Sequence, residues 1–193
     1  YALICLPRSE RHANEYALMA EEKGVTAIIS VGIRVNVSLP VLYLDTMQQA
    51  GLLLRRMFET EKASTCLFGI TGTDGKTSVA WILREVLVKK YGSAWSSGTL
   101  GWVEDHKHIH DLGNTTPSIL TLHHLLSAAD KQNIPALVME VSSHGIEQQR
   151  IAGLHFDVGV WTTLGHDHLQ DHGGFEAYVS LKNRFICNTG KHG

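Results

Sequence analysis

From Ala13 to Glu22 the apolar residues Tyr16, Ala17, Met19 and Ala20 fit a short helix, stopped at Lys23-Gly24. Val25 to Val31 is a largely apolar, β-branched run, the pattern of a buried strand, and Val41 to Leu44 is a shorter one. From Thr46 to Phe58, Met47, Ala50, Leu53, Leu54, Met57 and Phe58 recur at spacings of three and four and predict an amphipathic helix. The polar stretch 59–64 (ETEKAS) reads as a linker.

Beyond it, Thr65 to Thr71 predicts a strand, followed by a glycine-rich turn and a helix from about Thr77 to Lys90. Residues 92–114, rich in Gly, Ser and His, predict loops or a hairpin. Ser118 to Gln132 carries Ile119, Leu122, Leu125 and Leu126 at helical spacing, with Ser118 as its cap. Ala136 to Val141 predicts a buried strand, Val158 to Trp161 lies in another, and Phe175 to Phe185 forms the final helix. Strands alternating with helices of this length imply βαβ units and a parallel sheet. The expected fold is α/β with a parallel sheet over 63–193, preceded by a small α/β lobe over 1–62. No internal repeat or low-complexity tract interrupts this order.

Composition narrows the setting. The 193 residues are 44% hydrophobic, enough for a packed core, and a formal charge of −2 offers no basic face for nucleic acid. No apolar run approaches the roughly 18–20 residues that cross a bilayer, so no membrane insertion is expected. The start, YALICLPRSE, lacks the basic region and long apolar stretch of a signal peptide. Cys5, Cys66 and Cys187 form neither a CxxC pair nor an even disulfide framework, which points to a reducing, cytoplasmic setting. Tyr1 in place of Met, and NTGKHG after an unfinished helical pattern, lead us to expect a fragment of a longer protein.

The strongest chemical signal is Gly69-Ile-Thr-Gly-Thr-Asp-Gly-Lys-Thr-Ser78. Gly72 and Gly75 allow backbone N–H groups to approach phosphate oxygens, and the helix that follows adds its positive N-terminal end. Lys76 would reach the β- and γ-phosphates and the Thr77 hydroxyl would hold Mg²⁺. Gly72, Thr73, Asp74, Gly75, Lys76, Thr77 and Ser78 are therefore the expected ATP-binding residues. A strict G-x-x-x-x-G-K-[ST] would need glycine at position 70, where Ile70 stands. An ordinary strand–turn–helix would use the same glycines, but Gly-Lys-Thr at a helix start favours phosphate binding.

The GxxGTxGKT spacing resembles the Mur ligase superfamily. The resemblance extends through Asn114-Thr-Thr-Pro117, Met139-Glu-Val-Ser-Ser-His-Gly145, Gln148-x-Arg150, Asp167-His-Leu169 and Tyr178-Val-Ser-Leu-Lys182, in the order of MurE-type enzymes. It runs from about residue 15 to 187 and is strong from Leu67 to Phe185. The resemblance implies an ATP- and Mg²⁺-dependent ligase of peptidoglycan precursor synthesis that adds an amino acid to UDP-N-acetylmuramoyl-dipeptide through an acyl phosphate. It makes Lys76 and Lys182 catalytic, with Lys182 carbamylated, and Glu140 and His168 magnesium ligands beside Thr77. Thr115, Thr116, Ser142, Gln148 and Arg150 match residues that bind the UDP-muramoyl peptide; Arg150 can fork onto a carboxylate. It also implies that 1–62 is part of an N-terminal UDP-substrate lobe, that 63–193 is the N-terminal portion of a parallel-sheet P-loop central ATP-binding domain, and that a C-terminal domain is absent here, hence no full catalysis by this chain alone.

The residues themselves leave alternatives. Glu140 ends an apolar run, where a carboxylate is costly unless it meets a cation or hydrogen bonds; the alternative to a metal ligand is a hydrogen-bonded structural acid. At the carboxyl end of a parallel strand it would face the ligand crevice. A lone histidine such as His168 is commonly structural, a lysine at position 182 would ordinarily be a solvated helix residue, and the hydroxyls could serve caps or turns. Asp74 places an acid beside the phosphates where the family has Asn; Thr163 and Gln170 also depart, and Ser9-Glu-Arg-His12 stands where a DGH-type segment is expected. Those departures keep open another amide ligase of the folylpolyglutamate or cyanophycin type, or a non-catalytic nucleotide-binding paralogue. The Ser-Ser-His and Gln-x-Arg motifs count against a generic P-loop ATPase. His106-Lys-His-Ile-His110 has strand spacing that fits a metal face or a solvated hairpin, and His123-His124 reads as surface or helix packing.

Overall fold

A computed structural model describes residues 2–5, 10–165 and 174–190, and the chain forms two compact units, Tyr1–Leu53 and Leu54–Gly193. The division falls inside a helix, upstream of the sequence-derived boundary at 62/63. The reason lies in the side chains that follow: Phe58 packs edge-on to His124, and Thr60 bonds His123, so this stretch belongs with the larger unit.

In the first unit, β1 (Ala2–Cys5), β2 (Ala27–Val31) and β3 (Val41–Leu44) form a parallel sheet in that order. Helix α1 (Glu10–Glu22) buries Ala13 and Ala17 in a core with Ile28 and Val35. Helix α2 (Met47–Met57) leads out of the unit.

The second unit holds a six-stranded sheet. Its strands are β4 (Cys66–Thr71), β5 (Trp95–Gly98), β6 (Gly101–Glu104), β7 (Lys107–His110), β8 (Ala136–Glu140) and β9 (Val158–Trp161), ordered β7-β6-β5-β8-β4-β9. Strands β5, β8, β4 and β9 run parallel; β6 and β7 continue antiparallel from β5. The helices are α3 (Lys76–Tyr91), α4 (Ile119–Lys131), the short α5 (Ser143–Glu147) and α6 (Phe175–Cys187). Ser118 caps α4, its hydroxyl accepting from the Thr121 N–H. No described helix is long and apolar enough to cross a membrane.

The pleat of the central strands decides what each face receives, because successive side chains point to opposite sides. On β8, Ala136 and Val138 join Ile70, Ala80 and Leu87 in the core beneath α3. The alternate residues Leu137 and Met139 join Leu122, Leu125, Leu126 and Phe185 in the opposite core, with α4 and α6. Continuing the alternation puts Glu140 on the α3 side. On β4, Gly69 faces the other layer, where a Cβ would run into Phe185 and Phe156.

The segment 92–114 is more ordered than loops or a lone hairpin: β5 enters the parallel sheet beside β8 and then feeds the β6–β7 hairpin. Trp-Ser-Ser-Gly lacks an apolar run, yet all four residues are buried. The His106–His110 stretch lies in that hairpin, with His106 exposed and 3.4 Å from the Glu85 carboxylate.

Leu137 is fully buried between β4 and α4 partners. Leu137→Ala is expected to lower unfolding stability by about 2–5 kcal/mol, read as a lower urea midpoint with an unchanged denaturant slope.

Candidate functional site

Strand β4 delivers the chain into the loop 72–75 and directly into α3. Gly72 has φ 152°, and a Cβ there would collide with the Thr162 hydroxyl, so glycine permits the close approach of the segment after β9. Gly75 is the left-handed N-cap of α3, at φ 80°. The post-β9 segment holds the loop from outside. The Thr73 N–H donates to the Thr163 carbonyl at 3.0 Å, and the Asp74 N–H to the Thr163 hydroxyl at 2.9 Å. The Thr162 hydroxyl donates to the Asp74 carbonyl at 2.5 Å. The Thr73 hydroxyl accepts from the Gly165 N–H and meets the Tyr178 hydroxyl at 2.9 Å. Asp74 and Ser78 are exposed. The threonine at 163 thus does the loop-holding from the position where the sequence departs from its family pattern.

Glu140 arrives beneath the first turn of α3, as the pleat of β8 requires. It is 3% exposed. Its Oε2 accepts from the Thr77 hydroxyl at 2.8 Å and the Thr99 hydroxyl at 3.2 Å, and Oε1 from the Thr99 N–H at 3.0 Å. A Cβ on Gly98 would strike this carboxylate, so the β5–β6 turn is shaped around it.

Two lysines converge on the loop. Lys76 Nζ donates to the Gly72 and Thr73 carbonyls at 3.0 and 2.8 Å. Lys182 is not the solvated helix residue its position in α6 would ordinarily make it. It is fully buried, donating to the Thr71 hydroxyl at 3.3 Å and the same Gly72 carbonyl at 3.1 Å, with the Tyr178 ring 4.6 Å away. Burial, reinforced by the positive charge of Lys76, lowers its pKa from 10.5 to about 8.

On the other side of the same opening stand the residues expected to contact the acceptor. The Thr116 hydroxyl donates to the Glu140 carbonyl at 3.0 Å and accepts from the Ser142 N–H at 2.9 Å. The Ser142 hydroxyl caps α5 through the Gly145 N–H. Cap roles and cleft lining therefore coexist in these two residues. Thr115 meets Thr99, hydroxyl to hydroxyl, at 3.0 Å. Arg150 donates to the Thr116 carbonyl at 2.5 Å and, by two nitrogens, to Gln148 Oε1 at 3.0 and 2.7 Å. An open cleft of about 400 Å³ brings together Gly72, Thr73 and Lys76 with Thr115, Thr116, Ser142, Gln148 and Arg150.

His168, Asp167 and Gln170 lie outside the described residues. Among the described residues no group of three His, Cys, Asp or Glu side chains could hold a metal. Thr99 and Thr162 were not singled out from the sequence. Single hydroxyls in turns carry no periodicity, and only the topology brings them to Glu140 and to the 72–75 loop.

A strand feeding a glycine loop into a helix N-terminus, with an acid at the end of the neighbouring parallel strand, defines the class of α/β domains built to hold phosphate. The Mur ligase middle domain family matches residues 70–193, more than half of the chain. The chain belongs to the Mur ligase family. It is 32% identical over 182 residues to the UDP-N-acetylmuramyl-tripeptide synthetase 2 of Oceanobacillus iheyensis, spanning 93% of this chain and 37% of that protein. It is 30% identical over 194 residues to a Coxiella burnetii UDP-N-acetylmuramoyl-L-alanyl-D-glutamate–2,6-diaminopimelate ligase, spanning 98% of this chain and 40% of that one. A solved structure of a ligase with the same description superposes with a TM-score of 0.78 at 28% identity, covering 95% of this chain and 37% of that one.

The depressed pKa of Lys182 has a stability consequence. Between about pH 8 and 10.5 the unfolded chain holds a proton that the folded chain has released. This residue's destabilising contribution is therefore complete below pH 8 and fades as pH rises through that window, by up to about 3 kcal/mol. Urea unfolding in carbon dioxide-free buffer is expected to show the wild-type chain gaining stability relative to Lys182→Met from pH 7.5 to 10. A pH-independent difference would contradict the shift.

Proposed function

We propose that this chain supplies the phosphate-binding and acceptor-binding parts of an ATP-dependent ligase that adds an amino acid to UDP-N-acetylmuramoyl-dipeptide. The observation that carries the reading is the single cleft in which Lys76 and the 72–75 loop face Thr115, Thr116, Ser142, Gln148 and Arg150. A phosphate-binding domain that only hydrolysed ATP would have no need of a second polar wall ending in an arginine.

ATP lies with its phosphates against the loop and the N-terminus of α3, where backbone N–H groups and the helix end favour negative charge. Lys76 sits within the loop and stabilises charge on the transferred γ-phosphoryl group. Arg150 orients the acceptor carboxylate, and Gln148, Ser142 and Thr115 present polar groups to the sugar, phosphate and peptide. An oxygen of that carboxylate attacks the γ-phosphorus, and ADP leaves with the electrons of the broken P–O bond. The incoming amine then attacks the acyl carbon, expels phosphate and loses a proton as the amide forms. Positioning and electrostatics suffice for this sequence, so no side-chain general base is assigned.

The oxygen donors around Glu140 fit a hard divalent cation: a buried carboxylate faced by the Thr77 and Thr99 hydroxyls. Thr77 and Glu140 would hold Mg²⁺, with His168 as the further ligand the family pattern supplies. When bound, Mg²⁺ screens the charge of the β- and γ-phosphates. A pKa near 8 leaves Lys182 partly neutral near physiological pH, and the neutral amine can add to carbon dioxide, releasing a proton and becoming a carbamate anion. That reverses the sign of a buried charge beside the loop. The departures at Asp74 and Thr163 do not obstruct this chemistry, since Asp74 is exposed and Thr163 bonds the loop.

The test is binding by this chain. Calorimetric titration with Mg²⁺ and a non-hydrolysable ATP analogue is expected to give saturable binding that Lys76→Ala weakens at least tenfold. UDP-N-acetylmuramoyl-L-alanyl-D-glutamate is expected to bind in a manner that Arg150→Ala weakens at least tenfold. Equal affinity of the variants and the wild type would overturn the assignments.

A further inference from the structure

The pair His123-His124 divides sharply. His124 is exposed between the rings of Phe58 and Trp102, whereas His123 is fully buried on α4 among Leu122, Leu125 and Leu126. A histidine inside an apolar stripe breaks the helical pattern, and such breaks mark positions where a polar group is needed. Both of its ring nitrogens are engaged. Nε2 is 3.0 Å from the Ala152 carbonyl, which can only accept, so Nε2 carries the proton. Nδ1 then accepts from the Thr60 hydroxyl at 3.2 Å, which fixes the tautomer. Burial lowers the imidazole pKa, the Ala152 carbonyl opposes that and Arg55 adds to it, so the ring is neutral.

Ala152 lies two residues beyond Arg150. Between α5 and Ala152 the chain reverses at Gln149, whose φ of 52° is left-handed. The Gln149 N–H bonds the Ile146 carbonyl at 3.0 Å and the Arg150 N–H bonds the Gly145 carbonyl at 2.9 Å, the double closure of a helix end that ordinarily uses glycine. A residue with a Cβ is disfavoured there, so the turn needs support from outside itself. Beside the packing of Ile151 and Leu154 on the core, it is held by two polar contacts, one to the segment that leads into α4 and one to α4 itself. The Arg150 guanidinium holds the Thr116 carbonyl just before the Ser118 cap, and His123 holds the Ala152 carbonyl from the body of the helix.

We propose that His123 is a positioning residue for the acceptor site: its Nε2–H tether to Ala152 clamps the Gln149–Ala152 turn onto α4 and thereby aims Arg150 into the cleft. The ligand aimed at rests on the function proposed above; the clamp itself does not. His123 touches no substrate, and ATP binding is unaffected by it because the 72–75 loop hangs from the post-β9 segment instead.

The experiment compares wild type, His123→Leu and His123→Gln in this chain by hydrogen–deuterium exchange without ligand, and by titration with UDP-N-acetylmuramoyl-L-alanyl-D-glutamate and with the ATP analogue. His123→Leu is expected to speed exchange over 149–154 at least tenfold and weaken the muramoyl dipeptide at least tenfold, with ATP-analogue affinity within twofold of wild type. His123→Gln, with a donor and an acceptor at its tip, is expected to restore both. Unchanged exchange, equal weakening of both ligands, or no rescue by Gln would overturn the proposal. Should the Leu variant not fold, ¹⁵N NMR of the wild-type ring decides: an Nε2–H tautomer supports the clamp and an Nδ1–H tautomer refutes it. If the wild type does not bind the dipeptide, or Arg150→Ala binds it normally, the acceptor reading fails, while the exchange result still judges the clamp.

Discussion

A carboxylate that is 3% exposed at the end of a strand must be matched by donors, and the matching of Glu140 organises the central unit. Its donors come from two separate elements: the first turn of α3 through Thr77, and the β5–β6 turn through Thr99. Its own carbonyl receives Thr116 from the segment before α4. Four pieces of chain are therefore registered on one residue. Gly98 is part of the same constraint, since no other residue leaves room for the carboxylate beneath the turn.

From that junction the two walls of the cleft follow as consequences of the sheet. Residues 66, 68 and 70 of β4 face α3 while Thr71 faces α6, which is why Lys182 finds a hydroxyl and a carbonyl at the strand end. The β8 strand sends Glu140 to the α3 layer, and the chain then turns at Ser142 into α5, delivering Gln148 and Arg150 to the α4 layer. Thr77 and Glu140 on the α3 side and Gln148 and Arg150 on the α4 side thus meet at the carboxyl edge of the sheet, where α/β folds place their ligands.

Much of this was legible before any coordinates. The buried strands 66–71 and 136–140 and the helices α3, α4 and α6 announce themselves as apolar runs and helical spacings, and Gly-Lys-Thr marks the loop. What escaped is what period alone cannot carry. Strand β5 is Trp-Ser-Ser-Gly, buried by its neighbours rather than by its own hydrophobicity. Thr99 is one hydroxyl in a tight turn, and its importance exists only because β5 lies beside β8. The two adjacent histidines look equivalent in the sequence, yet a helix turns about 100° per residue, which buries one and exposes the other. Phe58 and Thr60 contact α4, although one adjoins and the other lies within the polar stretch 59–64 that reads as a linker.

Two positive charges meet at the loop. Lys76 and Lys182 both donate to the Gly72 carbonyl, so two amines share an acceptor that has only two lone pairs. The exposed Asp74 does not enter this arrangement, and the nearest buried acid, Glu140, is already engaged by hydroxyls and an amide. Like charges in a site of lowered dielectric repel, and the repulsion is what draws the Lys182 pKa down beyond the effect of burial. The two amines are thus held against each other around one carbonyl, and the buried one carries the cost.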